Sequence, residues 1–196
     1  MNNPYAAPQT ELTAQSGGEQ GAAGGFYVVS RRKFWILLIA TLGLYVVAWG
    51  YKSWNAVRVS RGLKVWPVAR AIFIVFFIHA LMKIVAETAL AAGRDRPISY
   101  KRLANITVVV LIVNYIVDRL SAKNIGYPIV DIISIGMLFV VAPVMWNMQS
   151  AINYVAGDES GSANDALSIA NVVWIVIGVA LWSLTIYGLF PAPVEA

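Results

Sequence analysis

One run of 25 residues, Ala166 to Phe190, contains no charged side chain, and it constrains the fold more than any other feature. At about 1.5 Å per helical residue the run is roughly 37 Å long, whereas the hydrocarbon core of a bilayer is about 30 Å thick. Hydrocarbon offers a backbone no hydrogen-bond partner, so we expect a membrane helix that satisfies its own amides. Four more apolar segments precede it, and segments one to five cover residues 34–50, 67–92, 103–120, 128–148 and 168–190.

The composition is that of a membrane protein, because 59% of the residues are hydrophobic and only 13% are charged. Soluble domains average about 45–50% and 25%. A soluble bundle of 196 residues would lack the polar surface to wrap five buried helices. The sequence therefore predicts an all-α fold, a polytopic membrane helix bundle with four or five transmembrane segments over residues 30–190. Most Lys and Arg residues flank the apolar segments, where they meet anionic lipid headgroups, so no nucleic-acid partner is expected.

The two ends of the chain are predicted to lie outside this bundle. Residues 1–25 are rich in Ala, Gly, Gln, Asn and Pro, and such a stretch cannot bury enough apolar area to offset its chain entropy. It also lacks the basic start and apolar core of a signal peptide. We expect a disordered amino-terminal tail over residues 1–29 and a short carboxy-terminal tail over residues 191–196.

The positive charges leave two topologies open. If all five segments cross, each side of the membrane collects seven positive residues, and the charges give no orientation. If segment one enters and returns on one side, that side collects ten and the other four, which is a clear bias. Segment one is the weakest spanning segment, at about 26 Å, and a helix can break at its centre, Thr41 to Tyr45. In both topologies we expect the loop after segment one on the cytoplasmic face.

The residues around segment one form an unusual pattern. It consists of Phe26-Tyr-Val-Val-Ser, Lys33-Phe34, Thr41-Leu-Gly-Leu-Tyr45, Trp49, Tyr51-Lys52, Trp54 and Arg70-Ala-Ile-Phe73. With this pattern the chain resembles a family of small bacterial inner-membrane proteins of unknown function, over most of residues 26–190. The resemblance implies a multi-pass protein of the bacterial inner membrane. It implies no catalytic residue.

Polar residues inside the apolar segments are the default functional candidates, because a bilayer makes ionisable groups costly. The candidates are His79, Lys83, Glu87, Asn114, Asp118 and Asp131. Depth counted along ideal helices predicts that His79 can meet Asn114 and that Asp118 and Asp131 lie at one level. Lys83 and Glu87 are expected to pair at i, i+4, either as a structural ion pair or as part of a proton or ion relay.

Several chemistries are not expected. His79 is the only histidine and the chain has no cysteine, which excludes a multi-histidine or thiolate metal site. Ser134 has no evident base or oxyanion hole around it, so we expect no catalytic site, no enzyme activity and no cofactor.

Two further groups of residues bear on helix packing: a stripe on segment five and a set of polar amides. Trp174, Gly178 and Trp182 form one stripe, which predicts packing within the chain or contact in a homo-oligomer. The polar amides are expected to join helix ends, and they are Asn105, Asn147, Gln149, Asn153 and Asn171.

The loop between segments one and two predicts a surface for anionic lipids or a membrane-protein partner. Its basic residues are Lys52, Arg58, Arg61 and Lys64. The leading function is a non-enzymatic accessory or scaffold protein of the membrane. The alternative is a small proton- or ion-coupled transporter or channel, with the intramembrane polar residues lining its path.

Overall fold

The computed structural model describes residues 22–23 and 25–189, and seven α-helices make up most of them. The fold is the all-α bundle that the sequence predicts. The helices are α1 (Arg31–Ala40), α2 (Tyr45–Arg61), α3 (Pro67–Ile72), α4 (Ile74–Ala91), α5 (Tyr100–Ser121), α6 (Ile129–Ala156) and α7 (Ile169–Leu189). Outside the helices lie a two-residue antiparallel pair, β1 (Ala22–Ala23) with β2 (Phe26–Tyr27), and a 3₁₀ turn at Ser162–Asn164.

Four of the described helices, α4 to α7, are long and apolar enough to cross a membrane. They contain 18, 22, 28 and 21 residues, and even the shortest is about 27 Å long. Only 11% of the most apolar window is buried in both α5 and α7. Their apolar side chains therefore face outward, as in a multi-pass membrane protein.

Segment one consists of two helices, because the chain turns between α1 and α2. Leu42 and Gly43 adopt positive φ angles of 50° and 84°, a conformation that does not continue a helix. Thr41 joins the two helices: its Oγ1 donates to the carbonyl of Leu37 at 2.7 Å and accepts from the N–H of Tyr45 at 3.0 Å. The break lies at the centre of segment one, where the sequence indicates that a helix can break.

Segment two is also broken. It bends at Phe73, whose φ of −98° and ψ of 37° separate α3 from α4. Pro67 begins α3, where its missing N–H leaves no helical bond unmade. The guanidinium of Arg70 lies 4.1 Å from the ring centre of Trp54 and 5.0 Å from that of Phe77. These cation–π contacts join α2 to both sides of the bend.

The two broken segments begin and end at the same end of the bundle. Arg61, the last residue of α2, donates to Thr88 near the end of α4. Asn153, near the end of α6, donates to the carbonyl of Val29 just before α1 at 2.9 Å. The turn between α1 and α2 lies instead beside Leu138, near the middle of α6. Segment one therefore reaches half-way through the bundle and returns.

We call this end the basic end, because it carries ten Lys and Arg residues: Arg31, Arg32, Lys33, Arg58, Arg61, Lys64, Arg94, Arg96, Lys101 and Arg102. The opposite end carries two, Arg119 and Lys123. Both charge counts made from the sequence place residues 94–102 opposite the first loop. In the structure, residues 94–102 lie at the same end as the first loop. The reason is that α4 starts beside the middle of α5 and runs from there to the basic end.

Helix α7 packs against the turn of segment one. The indole Nε1 of Trp182 donates to the carbonyl of Ile39 at 2.9 Å. Gly178 lies so close to the carbonyl of Ala40 that a side chain on this glycine would collide with it. The predicted packing of this stripe within the chain is confirmed for these two residues.

The hydrophobic core lies between the turn and the basic end, and Trp49, Trp54 and Met148 in it are fully buried. Phe26 to Val29 pass over this core and are also buried. The prediction of a disordered tail to residue 29 is therefore wrong for these four residues, because their apolar side chains complete the core. Ala22 and Ala23 of that predicted tail form β1, whereas residues 1–21 and 24, like the predicted tail at 191–196, lie outside the described residues.

Candidate functional site

A cavity of about 850 Å³ extends from the turn of segment one, at the middle of the bundle, to Ser121 and Ala122 at the end of α5. The turn of segment one and the first residues of α4 close one side, and α5, α6 and Thr185 of α7 form the walls. Most of the lining is apolar. The polar side chains that line it are Asn114, Asp118, Ser121, Ser134 and Thr185.

Two carboxylates are held on the α5–α6 side of this cavity. Asp118 accepts from Asn114 Nδ2 at 2.7 Å and from Ser134 Oγ at 2.5 Å. One turn further along α5, Ser121 Oγ donates to Asp131 Oδ1 at 2.7 Å. The other oxygen of Asp131 is buried and has no hydrogen-bond partner within the described residues. Asp131 therefore lies about one helical turn, roughly 4–5 Å, nearer the opposite end than Asp118, so the predicted common level of the two aspartates is off by that distance.

His79 lies outside the cavity, and the prediction that it meets Asn114 is wrong. Its Nε2 lies 2.7 Å from Oδ1 of Asn105 instead. The prediction took His79 as the midpoint of an unbroken segment two. The bend at Phe73 places the start of α4 beside Leu111 in the middle of α5, which shifts the pairing of the two helices.

Lys83 and Glu87 form the predicted ion pair, with Nζ 3.6 Å from Oε1. Their side chains are 58% and 61% exposed, so they lie on the outer surface of α4. The predicted polar path is thus divided: Asn114 and Asp118 line the cavity, while the candidates on α4 do not.

The four residues of the predicted basic surface also lie in different surroundings. Arg58 is exposed and donates to Asn55 at 2.8 Å, and Lys64 is exposed. Arg61 is held by its bond to Thr88 on α4. Arg58 and Lys64 have no acidic partner within the described residues. Arg61 is exposed as well, so it differs from Arg58 only in that its hydrogen bond joins α2 to α4.

Lys52, the fourth residue of that predicted surface, lies at a second cavity of about 560 Å³. This cavity lies between the α1–α2 pair, α3 and the start of α7, and its lining is almost wholly apolar. The Nζ of Lys52 lies 5.2 Å from the ring centre of Tyr27. One cation therefore borders an apolar cavity on the outer part of the bundle.

Two of the amides assigned to joining helix ends do so through a buried network. Gln149 is fully buried; its Oε1 accepts from Trp49 Nε1 at 2.5 Å, and its Nε2 donates to the carbonyl of Tyr27 at 3.0 Å. Its Nε2 also donates to Oδ1 of Asn153 at 2.6 Å, and Asn153 in turn contacts the backbone of Val29. For these two residues the prediction is confirmed.

Sequence reasoning missed one buried cation, Lys33, which is 4% exposed. Its Nζ donates to Asn164 Oδ1 and to the carbonyl of Ala166, both at 2.6 Å. Burial lowers the pKa of Lys33, and Lys52 lowers it further, while Asp165 opposes the shift. A lysine directly before an apolar segment is typical of a headgroup anchor. The sequence does not indicate that the loop before α7 folds over this lysine and covers it.

Among residues 22–23 and 25–189, no group of three or more His, Asp or Glu side chains could hold a metal ion. Comparison of the chain with protein families, with curated proteins and with solved structures finds no match. The cavities and the distribution of charge are therefore the features of the molecule that bear on its function.

Proposed function

We propose that the chain is a non-enzymatic accessory protein of the bacterial inner membrane, whose basic end lies on the cytoplasmic face and binds anionic lipid headgroups. The observation that supports this proposal is the distribution of ten basic residues at one end and two at the other. Cytoplasmic segments of membrane proteins carry an excess of Lys and Arg. Anionic headgroups attract each of these residues by about 1 kcal/mol near the membrane surface.

The cations of the basic end are not equally available. Lys33 is buried, and Arg61 is held by Thr88. Arg58 and Lys64 are exposed and have no acidic partner in the described part of the chain. The test changes these two because they belong to the predicted surface loop, and it leaves Arg61 in place because its bond to Thr88 joins α2 to α4.

The test compares Arg58→Gln/Lys64→Gln with Arg58→Lys/Lys64→Arg, which keeps both charges at the same positions. Each protein is reconstituted in nanodiscs of phosphatidylcholine, with or without phosphatidylglycerol, and its unfolding temperature is measured. We expect the anionic lipid to stabilise the wild type and the control. The basic-end variant should lose about 2 kcal/mol of that added stability. Equal losses in both variants would contradict the proposal.

A second candidate, proton- or ion-coupled transport, is supported by one observation. Asp118, an acidic residue within a spanning helix, lines the larger cavity close to the end of α5, and ionisable residues in such helices are default functional candidates. Transport predicts proton or cation flux in proteoliposomes that falls when Asp118 is changed to Asn. Glu87→Gln, on the outer surface of α4, is the matched control and should leave the flux unchanged. A wild type without flux would count against transport and leave the accessory function standing.

A further inference from the structure

The second cavity has the shape and lining of a site for a hydrocarbon chain. Its volume of about 560 Å³ lies within the roughly 300–1,000 Å³ of small-molecule sites. Leu37, Ala48 and Ala71 form its inner side. Ile72 and Trp174 also line it and are 60% and 50% exposed, so the cavity opens onto the outer surface of the bundle. In a membrane, lipid tails lie at that opening.

The polar border of the same cavity carries a positive charge. Lys52 lines the cavity together with Ser168 and Asn171, which lie at the start of α7 near the basic end. No carboxylate within the described residues pairs with Lys52, and Asp165 pairs with Arg32 at 3.3 Å. The contact of Lys52 with the Tyr27 ring leaves its ammonium charge unneutralised. An apolar cavity with one such cation at its border complements an amphiphile with an anionic head.

We propose that this cavity binds an acyl chain of an anionic glycerophospholipid, whose headgroup is held by Lys52. The site deepens the proposed function and rests on it, because both use the same class of lipid. An acyl chain that moves from the bilayer into the cavity leaves one hydrocarbon environment for another, so its transfer gains little from the hydrophobic effect. The selectivity must therefore come from the headgroup, and the charge on Lys52 favours an anionic one.

Lipid retention measured by native mass spectrometry tests this site. The protein in mild detergent is mixed with phosphatidylglycerol or phosphatidylcholine of identical acyl chains, and the fraction that retains one lipid is counted. We expect the wild type to retain phosphatidylglycerol preferentially. Lys52→Gln should reduce that retention about fivefold, which corresponds to the loss of one headgroup attraction.

A second variant tests the binding of the acyl chain rather than that of the headgroup. Ala170→Trp places a large ring on the lining of the cavity and should reduce the retention of both lipids. Ala180→Trp adds the same ring at an exposed position of α7 outside the cavity and should change nothing. Ile72→Trp, on the α3 side of the cavity, serves if the first variant fails to fold. Unchanged retention in a folded cavity variant would overturn the site.

The Arg58→Gln/Lys64→Gln variant separates the site from the proposed function. We expect it to retain the single phosphatidylglycerol while it loses the stabilisation by anionic nanodiscs. If Lys52→Gln retains the lipid and the surface variant loses it, the cavity proposal is wrong and headgroup binding at the surface stands. If the wild type shows no preference for the anionic lipid in either assay, both proposals fall.

Discussion

At the scale of single residues, the buried amides of α6 serve an extended segment of backbone. Residues 27–29 cross the end of the bundle, and β1 reaches only as far as Tyr27, so the buried carbonyls of this segment need other donors. Gln149 and Asn153 are one helical turn apart, and their side chains donate to those carbonyls. Gln149 also receives the indole N–H of Trp49, which ties segment one to the same network.

We expect Gln149→Leu to lower the free energy of unfolding by about 2–6 kcal/mol. The change keeps the volume of the side chain but leaves Trp49 Nε1 and the Tyr27 carbonyl buried without partners, and each such group costs about 1–3 kcal/mol. Unfolding of the detergent-solubilised protein by a denaturing detergent measures the loss. Asn147→Leu, at an exposed position of the same helix, is the control and should have little effect. A similar loss in both variants would show that the network is not the cause.

Local chemistry explains which residue contacts could be predicted from the sequence. Lys83 and Glu87 pair because an i, i+4 spacing on one helix fixes their distance. The partner of His79 depends on how α4 lies along α5, and that follows from a bend that the sequence does not mark. Phe73 lies in an uninterrupted apolar run without glycine or proline, the residues that commonly mark a helix break.

At the scale of elements, the later helices were the most predictable. Segments three and five differ from α5 and α7 by at most three residues at either end, because length and hydropathy define a spanning helix. Helix α6 continues eight residues beyond the predicted end of segment four, to Ala156. Its last turns carry Gln149 and Asn153, which hydropathy assigns to a boundary, although the Tyr27–Val29 segment covers them within the protein.

The contact of α7 with the turn of segment one gives a prediction for Gly178. We expect Gly178→Ala to destabilise the protein by about 1–3 kcal/mol, because the added methyl group would collide with the carbonyl of Ala40. Gly188→Ala meets no atom within 4 Å and should be neutral or slightly stabilising. Thermal unfolding in detergent compares the two. Equal stability of the two variants would rule out a close approach at Gly178.

At the scale of the whole molecule, the end of the bundle at which each loop lies determines the side of the membrane from which that loop is accessible. We expect cysteines introduced at Ser60, Ser99 and Ser160 to be labelled from one side of the membrane, because all three lie at the basic end. A cysteine at Ile125, in the loop between α5 and α6, should be labelled only from the other side. The chain has no native cysteine, so the labelling has no background. Labelling of Ser60 and Ser99 from opposite sides would contradict the arrangement.

The half-way turn of segment one also bears on biosynthesis. Both broken segments begin and end at the basic end, so their insertion delivers no polar loop across the bilayer. Of the described connections between helices, the seven residues from Ala122 to Pro128 alone have to be translocated, and Lys123 is the one charged side chain among them. With the basic end on the cytoplasmic face, as proposed, insertion would carry one short hairpin, α5 with α6, and then α7 across the bilayer, while the earlier part of the chain enters from the side on which it was synthesised.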